Sequence, residues 1–398
     1  MSCTYLYLDD EKPETVEPYI EEVEDYAEPL TIRLAHPKLY QHQIEEVMEG
    51  GYDGIILDLR LDRAPNPDPD SEGKRADYRA STLAQEIRTR AAESSAKKAR
   101  RGRGECPIVL WSTDDRLDTS YTRDHTSHDL FDLLCVKQDI VSDEPSVPEE
   151  KKAPWVARRL VALAEGYDTI GDVRDKVGLK SRQFYRFLGF EERPTFLDQR
   201  LAELDPFRDP QSRFRPAHEY ARFILRELLE ATGPLIDRPT LATRLGIDEA
   251  RSPAFDEVLE SLFSEAEYTG PFAAGWPRWW ASKVDEAWVA LLDKPGPLRS
   301  TPADERVAIL KEKGGVKKIA PADPIAAGGS TTYWVVCRAT GRPLDPREGF
   351  VLETRRKFPW QGDEYVSSAA VLQGLLSQSD LILAPSEQRR ADLLRTRS

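Results

Sequence analysis

Short apolar runs, each closed by a polar residue, punctuate the first third of the chain. Tyr5-Leu6-Tyr7-Leu8, Ile55-Ile56-Leu57, Ile108-Val109-Leu110-Trp111 and Leu133-Leu134-Cys135-Val136 read as strands. With the alternating run near residue 30, the predicted strands are 3–8, 30–35, 53–58, 107–111 and 132–136. Helical periodicity occupies 13–25, 40–50, 79–93 and 154–165. In the last of these, Val156, Leu160 and Leu163 recur at i, i+4 and i+7, a stripe suited to covering a sheet. Strands that are apolar on both sides, separated by helices, predict a five-stranded parallel sheet in an α/β doubly wound domain.

Two stretches interrupt that alternation. Residues 62–78 are rich in Pro, Asp and Gly and follow Asp58 closely, and residues 94–105 carry the basic run Lys97-Lys98-Ala99-Arg100-Arg101-Gly102-Arg103, read as a surface loop. Beyond 168 the pattern turns helical. Tyr220, Phe223, Ile224 and Leu228 mark a core stripe in a helix over 217–231, and Trp276, Trp279, Trp280 and Trp288 are expected as core or interface anchors. Pro and Gly bracket 294–331, which reads as a linker. The tail returns to strands at 333–337 and 350–352 and a helix at about 367–378. The predicted organisation is a sheet domain at 1–166, a mainly helical domain at 167–293, a linker at 294–331 and a small α+β domain at 332–398.

Length and charge narrow the reading. A chain of 398 residues exceeds one ordinary domain. No apolar run approaches the roughly 18 residues of a membrane span, and no charged-then-apolar leader opens the chain, so neither a membrane protein nor a secreted one is expected. The four cysteines are scattered and form no C-x-x-C pair, which predicts reduced thiols and a cytoplasmic setting. The net charge of −14 arises in the first 150 residues. That balance argues against non-specific nucleic-acid binding by the whole chain. The turn around Cys337 has the outline of half a zinc knuckle but no neighbouring Cys or His, so zinc is rejected. The five histidines form no ligand spacing. Phosphate-loop and nucleophile-elbow motifs are absent, so a nucleotide hydrolase or a serine hydrolase is not expected.

Candidate chemistry lies at the strand ends. Asp9 and Asp10 follow the first apolar run, Asp58 the third strand, Ser112 the fourth and Lys137 the fifth. In an open parallel sheet these positions gather at the carboxyl edge, where ligands bind. A carboxylate there can act as a nucleophile toward a phosphoryl group.

The pieces Leu8-Asp9-Asp10-Glu11, Ile55-Ile56-Leu57-Asp58, Pro107-Ile108-Val109-Leu110-Trp111-Ser112 and Val136-Lys137 resemble the phospho-receiver domain of bacterial response regulators, over about residues 1–165. The resemblance implies Asp58 as phosphoacceptor, Mg²⁺ held by Asp9, Asp10 and Asp58, and Ser112 and Lys137 on the phosphate. It implies two-component signalling, with a histidine kinase or small phosphodonor as donor and no catalysis beyond self-phosphorylation and dephosphorylation. The chain departs from the family pattern in three places. A long insert follows Asp58, Gln138 stands where Pro is usual after the lysine, and Cys135 stands at the aromatic switch position.

Residues 169–190 have a helix-turn-helix outline, with Lys180, Arg182 and Arg186 on the second helix as candidate nucleic-acid contacts. A second such outline, over 237–247, is followed by Asp256, Glu257 and Glu260, which favours protein over DNA there. The expected function is an atypical response-regulator-like protein that relays phosphorylation of Asp58 to a helical region binding a protein partner. Two alternatives stand beside it. One is a phosphorylation-independent adaptor in a regulatory or defence complex, and the other is a DNA-binding regulator using 169–190.

Overall fold

The computed structural model describes residues 2–62, 76–97, 105–113, 117, 128–145, 147–177, 186–189, 216–292, 296–354, 357, 360–378 and 381–397. The chain forms two compact units, one from Met1–Leu197, Ala202–Glu227 and Thr269–Trp276, the other from Asp198–Leu201, Leu228–Tyr268 and Pro277–Ser398.

The first unit holds β1 (Cys3–Leu8), α1 (Pro13–Glu24), β2 (Leu30–Ala35), α2 (Tyr40–Glu49), β3 (Gly54–Leu57), α3 (Ala80–Lys97), β4 (Ile108–Ser112), β5 (Leu133–Val136), the short α4 (Lys137–Ile140), α5 (Ala153–Val177) and α6 (Ala217–Arg222). All five strands are parallel, in the order β2-β1-β3-β4-β5. Parallel neighbours need long crossovers, and α1, α2 and α3 supply those leading to β2, β3 and β4. Alternate strand residues serve different faces. Leu6, Leu8, Ile55, Leu57, Ile108 and Leu110 pack with Ile44 and Val47 of α2 and Leu83 and Ile87 of α3. The other set, Tyr5, Tyr7, Ile56, Val109 and Trp111, is equally buried. From that set the Tyr5 hydroxyl donates to Leu160 O of α5 at 2.7 Å. Gly54 makes this possible, because a Cβ there would lie 2.0 Å from the Tyr5 ring.

The amino edge of the sheet is tied by one buried acid. Asp132, just before β5, accepts from Arg88 Nη2 of α3 at 2.6 Å, from Ile108 N at 2.8 Å and from Tyr167 OH of α5 at 2.8 Å. Arg88 also donates to Cys106 O at 2.9 Å. Burial opposes its charge, but Tyr167 and Asp132 hold it protonated.

His218 lies on α6 in this same unit. Burial, with Arg88 and Arg222 adding repulsion, pushes its pKa down to about 2. The unfolded imidazole takes a proton near 6.5, so the stability carried by the neutral ring is present above that pH and is lost as pH falls below it. Acid titration of unfolding is expected to show a loss of up to about 1.4 kcal/mol per pH unit below about 6.5, and His218→Gln should flatten that slope. An unchanged slope would hand the acid sensitivity to carboxylates instead.

The helix expected over 217–231 is α-helical only to Arg222 and continues as a π-helix over Phe223–Leu229. The rest of the chain is largely helical, with small two-stranded antiparallel sheets. These are β6 (Leu235–Ile236) with β7 (Trp279–Trp280), β8 (Val335–Val336) with β9 (Pro343–Leu344), and β10 (Gly349–Val351) with β11 (Tyr365–Ser367). One core gathers Leu241 and Leu245 of α7 (Arg238–Leu245), Phe255 and Val258 of α8 (Phe255–Leu262), Val284 and Trp288 of α9 (Ala281–Leu291) and Val307 and Leu310 of α10 (Ala303–Gly314). Trp276, Trp279, Trp280 and Trp288 are all buried. The span 294–331, read from the sequence as a linker, therefore holds a core helix. On that helix the fully buried Arg306 donates to the carbonyls of Thr301, Arg244, Tyr333 and Arg299, which satisfies its N–H groups. The helix expected at 367–378 is divided into α11 (Ser368–Leu372) and a 3-10 turn, Leu375–Gln378. A last helix, α12 (Gln388–Arg397), closes the chain. No helix among the described residues is long and apolar enough to cross a membrane.

Candidate active site at the carboxyl edge

The strand order sets the position of the site. From β1 the chain runs outward to β2 and then back past β1 to β3. The crevice beyond the carboxyl ends of β1 and β3 is the topological switch point of such a sheet. Asp9 and Asp10 follow β1 there, and Asp58 follows β3.

The side chains converge. Asp9, Asp58, Ser112 and Lys137 are all buried to within 1% of complete, and Asp10 is half-buried. Asp9, Asp10 and Asp58 each offer a carboxylate oxygen, and these oxygens lie within 4.8 Å of one another. Ser112 Oγ donates to Asp58 Oδ1 at 2.8 Å, and Arg60 N donates to Asp58 Oδ2 at 2.9 Å. Lys137 Nζ lies 2.7 Å from Asp9 Oδ2 and 3.4 Å from both Asp58 Oδ1 and Glu11 Oε2. Burial opposes the lysine's charge, but Asp58 and Asp9 outweigh it and raise its pKa. The ammonium is therefore a fixed charge.

No protein-family model matches this chain, and no curated protein does.

The chemistry of the site is that of a cluster of acids gathered around a buried lysine. Asp9 and Asp58 are fully buried carboxylates beside one buried ammonium, with Asp10 and Glu11 adjoining. Buried charge is costly unless it is compensated. Oxygen-only donors at this spacing suit a hard divalent cation such as Mg²⁺ rather than zinc or copper. The residues present thus fit the cation that the family resemblance implies.

Three further groups adjoin the strand-end residues, of which Tyr7 escaped the strand-end pattern. Tyr7 OH donates to Asp9 Oδ2 at 2.6 Å, and Glu11 N donates to Asp9 Oδ1 at 2.9 Å. Arg60 forms a fork with Asp62, at 2.8 and 3.2 Å, which lowers the Asp62 pKa chiefly through those hydrogen bonds. Most of the insert after Asp58 lies outside the described residues, but its ends meet. Arg60 and Arg79 form an antiparallel bridge, and Ala80 N donates to Leu59 O.

The other candidates fare differently. Lys180 and Arg182 lie outside the described residues, as do His125 and residues 98–104 of the basic loop. Arg186 is exposed and lines a cavity of about 630 Å³ with Glu165, Phe187 and Phe272. At the second helix-turn-helix outline, Arg238 pairs with both Glu249 and Asp256. Cys135 is buried, and burial pushes its thiol up to about 12.

Proposed function

We propose that the first unit is a doubly wound phospho-receiver module that accepts a phosphoryl group on Asp58. The observation that carries this reading is the convergence of Asp9, Asp10, Asp58, Ser112 and Lys137 at the switch point of a β2-β1-β3-β4-β5 parallel sheet.

In the proposed step an Asp58 carboxylate oxygen attacks the phosphorus of a histidine kinase phosphohistidine or a small acyl phosphate. A P–O bond to Asp58 forms, the bond from phosphorus to the donor breaks, and its electron pair leaves with the donor. Mg²⁺ bound by Asp9, Asp10 and Asp58 would supply neutralisation of the anionic group. Lys137 offers a point charge to the phosphoryl oxygens from its position between Asp9 and Asp58. Ser112 Oγ, already on Asp58 Oδ1, can turn to donate to a phosphoryl oxygen. Phosphorylated Asp58 carries its negative charge on phosphoryl oxygens instead of the carboxylate, so Lys137 and Ser112 exchange partners, and such an exchange can bias a surface presented to a protein partner.

A second reading, an adaptor that is never phosphorylated, is favoured by one detail. Both oxygens of Asp58 already accept hydrogen bonds, and the lysine's shortest contact is to Asp9 instead. One experiment separates the two. The full chain is incubated with a radiolabelled acyl phosphate and Mg²⁺. The receiver reading expects hydroxylamine-labile label that disappears with Asp58→Asn and with chelator. A folded wild-type chain that takes no label would leave the adaptor.

A further inference from the structure

The Tyr7 ring does more than fill the core. Its hydroxyl donates to Asp9 Oδ2, the oxygen that also accepts from Lys137, while Asp9 Oδ1 accepts from Glu11 N. Oδ2 thus has both lone pairs in use, and Oδ1 retains one. The same ring stacks on Trp111, with centroids 5.2 Å apart and planes within 5°. Trp111 is fully buried, and its indole N–H has no hydrogen-bond partner among the described residues. It is also the residue before Ser112, whose hydroxyl holds Asp58. Since β3 lies between β1 and β4, the two rings meet across the strand that carries Asp58. The stack is therefore connected to the site at both ends, through the Tyr7 hydroxyl to Asp9 and through the backbone of β4 to Ser112.

We infer that Tyr7 is a positioning residue that turns Asp9 so that only Oδ1 faces a cation, and that the Tyr7–Trp111 stack carries the charge state of the acidic site into the sheet. The cation arm of this inference rests on the receiver reading above; the stack itself does not. The phenol is fully buried and its hydroxyl lies 2.6 Å from Asp9 Oδ2. A hydroxyl donating to Asp9 competes with a cation for the same carboxylate. Removing the hydroxyl while keeping the ring should therefore tighten cation binding. A purely structural Tyr7 would leave affinity unchanged or weaken it.

The test uses the full chain, Mg²⁺ alone as ligand, calorimetry for affinity and tryptophan emission for the stack. The emission of Trp111 is taken as the difference between the chain and its Trp111→Phe variant. Mg²⁺ should alter that difference in the wild type. Tyr7→Phe should bind Mg²⁺ about tenfold more tightly, the equivalent of one hydrogen bond to a charged group, and should lose the Mg²⁺-dependent change in Trp111. Asp9→Asn supplies a second arm that needs no cation. It should shift Trp111 emission in the wild-type background and leave it unmoved when combined with Tyr7→Phe. Calorimetry without Mg²⁺ binding would sink the cation site and the positioning role with it, leaving the Asp9→Asn arm to decide the coupling. Mg²⁺ binding with equal affinity and equal Trp111 response in wild type and Tyr7→Phe would overturn this inference and leave the receiver reading standing.

Discussion

Replacing Lys137 with methionine is expected to destabilise the sheet unit by about 3–5 kcal/mol, the usual cost of breaking a buried ion pair from one side. The methylene stem survives in the substitution, so packing changes little. What is lost is the ammonium that lies 2.7 Å from Asp9 and 3.4 Å from Asp58, and both carboxylates are fully buried. One of them must then be neutralised, solvated or repaired by another cation. Added Mg²⁺ should therefore restore part of the loss, by mass action on the folded state alone. Urea unfolding with and without Mg²⁺ reads both effects. The sign with pH follows from the raised lysine pKa. The ion pair contributes fully below the unfolded lysine's value and is lost only as pH rises through the folded one. A Lys137→Met protein as stable as the wild type in chelator would mean that the cluster is compensated from elsewhere, and the charge argument would fail.

The second large effect belongs to the opposite edge of the sheet. Asp132→Ala should cost about 3–5 kcal/mol, because it strands the buried Arg88 guanidinium and removes the acceptor for Tyr167 and Ile108 N together. Tyr167→Phe, which removes one of those hydrogen bonds, should cost only about 1 kcal/mol. The informative variant is the double substitution Arg88→Met with Asp132→Leu. If the pair matters through its charges, removing both should recover much of the loss of the single change, since an apolar replacement need not pay for desolvation. A double variant as unstable as Asp132→Ala would place the cost in the backbone contact to Ile108 instead.

The fold of the first unit was legible because each strand is an apolar run ended by a polar residue. Asp9, Asp58, Ser112 and Lys137 were visible for the same reason, since they are those endings. Tyr7 was hidden inside its run, where a tyrosine reads as core. Strand alternation puts it on the face shared by Asp9 two residues on, and that was the available signal. Asp132 and Arg88 could not be paired from sequence, because 44 residues separate them and only the folded sheet brings them together. The helix Ala303–Gly314 is hidden in the sequence for a subtler reason. Pro and Gly bracketing 294–331 read as linker punctuation, whereas within that span Pro302 and Gly315 are the two caps of this helix, with Gly315 at φ +68°. Proline before a helix and glycine after it are the ordinary marks of helix ends. The π-helical turn at Phe223–Leu229 keeps the predicted apolar residues buried while changing their winding, which periodicity cannot distinguish over two turns.

The bridge between Arg60 and Arg79 has an evolutionary side. A loop whose two ends clasp each other is a closed detour, so residues can be gained or lost within it without moving Asp58 on one flank or α3 on the other. Closing a longer detour costs little more than closing a short one, since the entropy grows only with the logarithm of length. The segment after Asp58 is thus where this chain can gain a new recognition element while Asp58 itself stays in register.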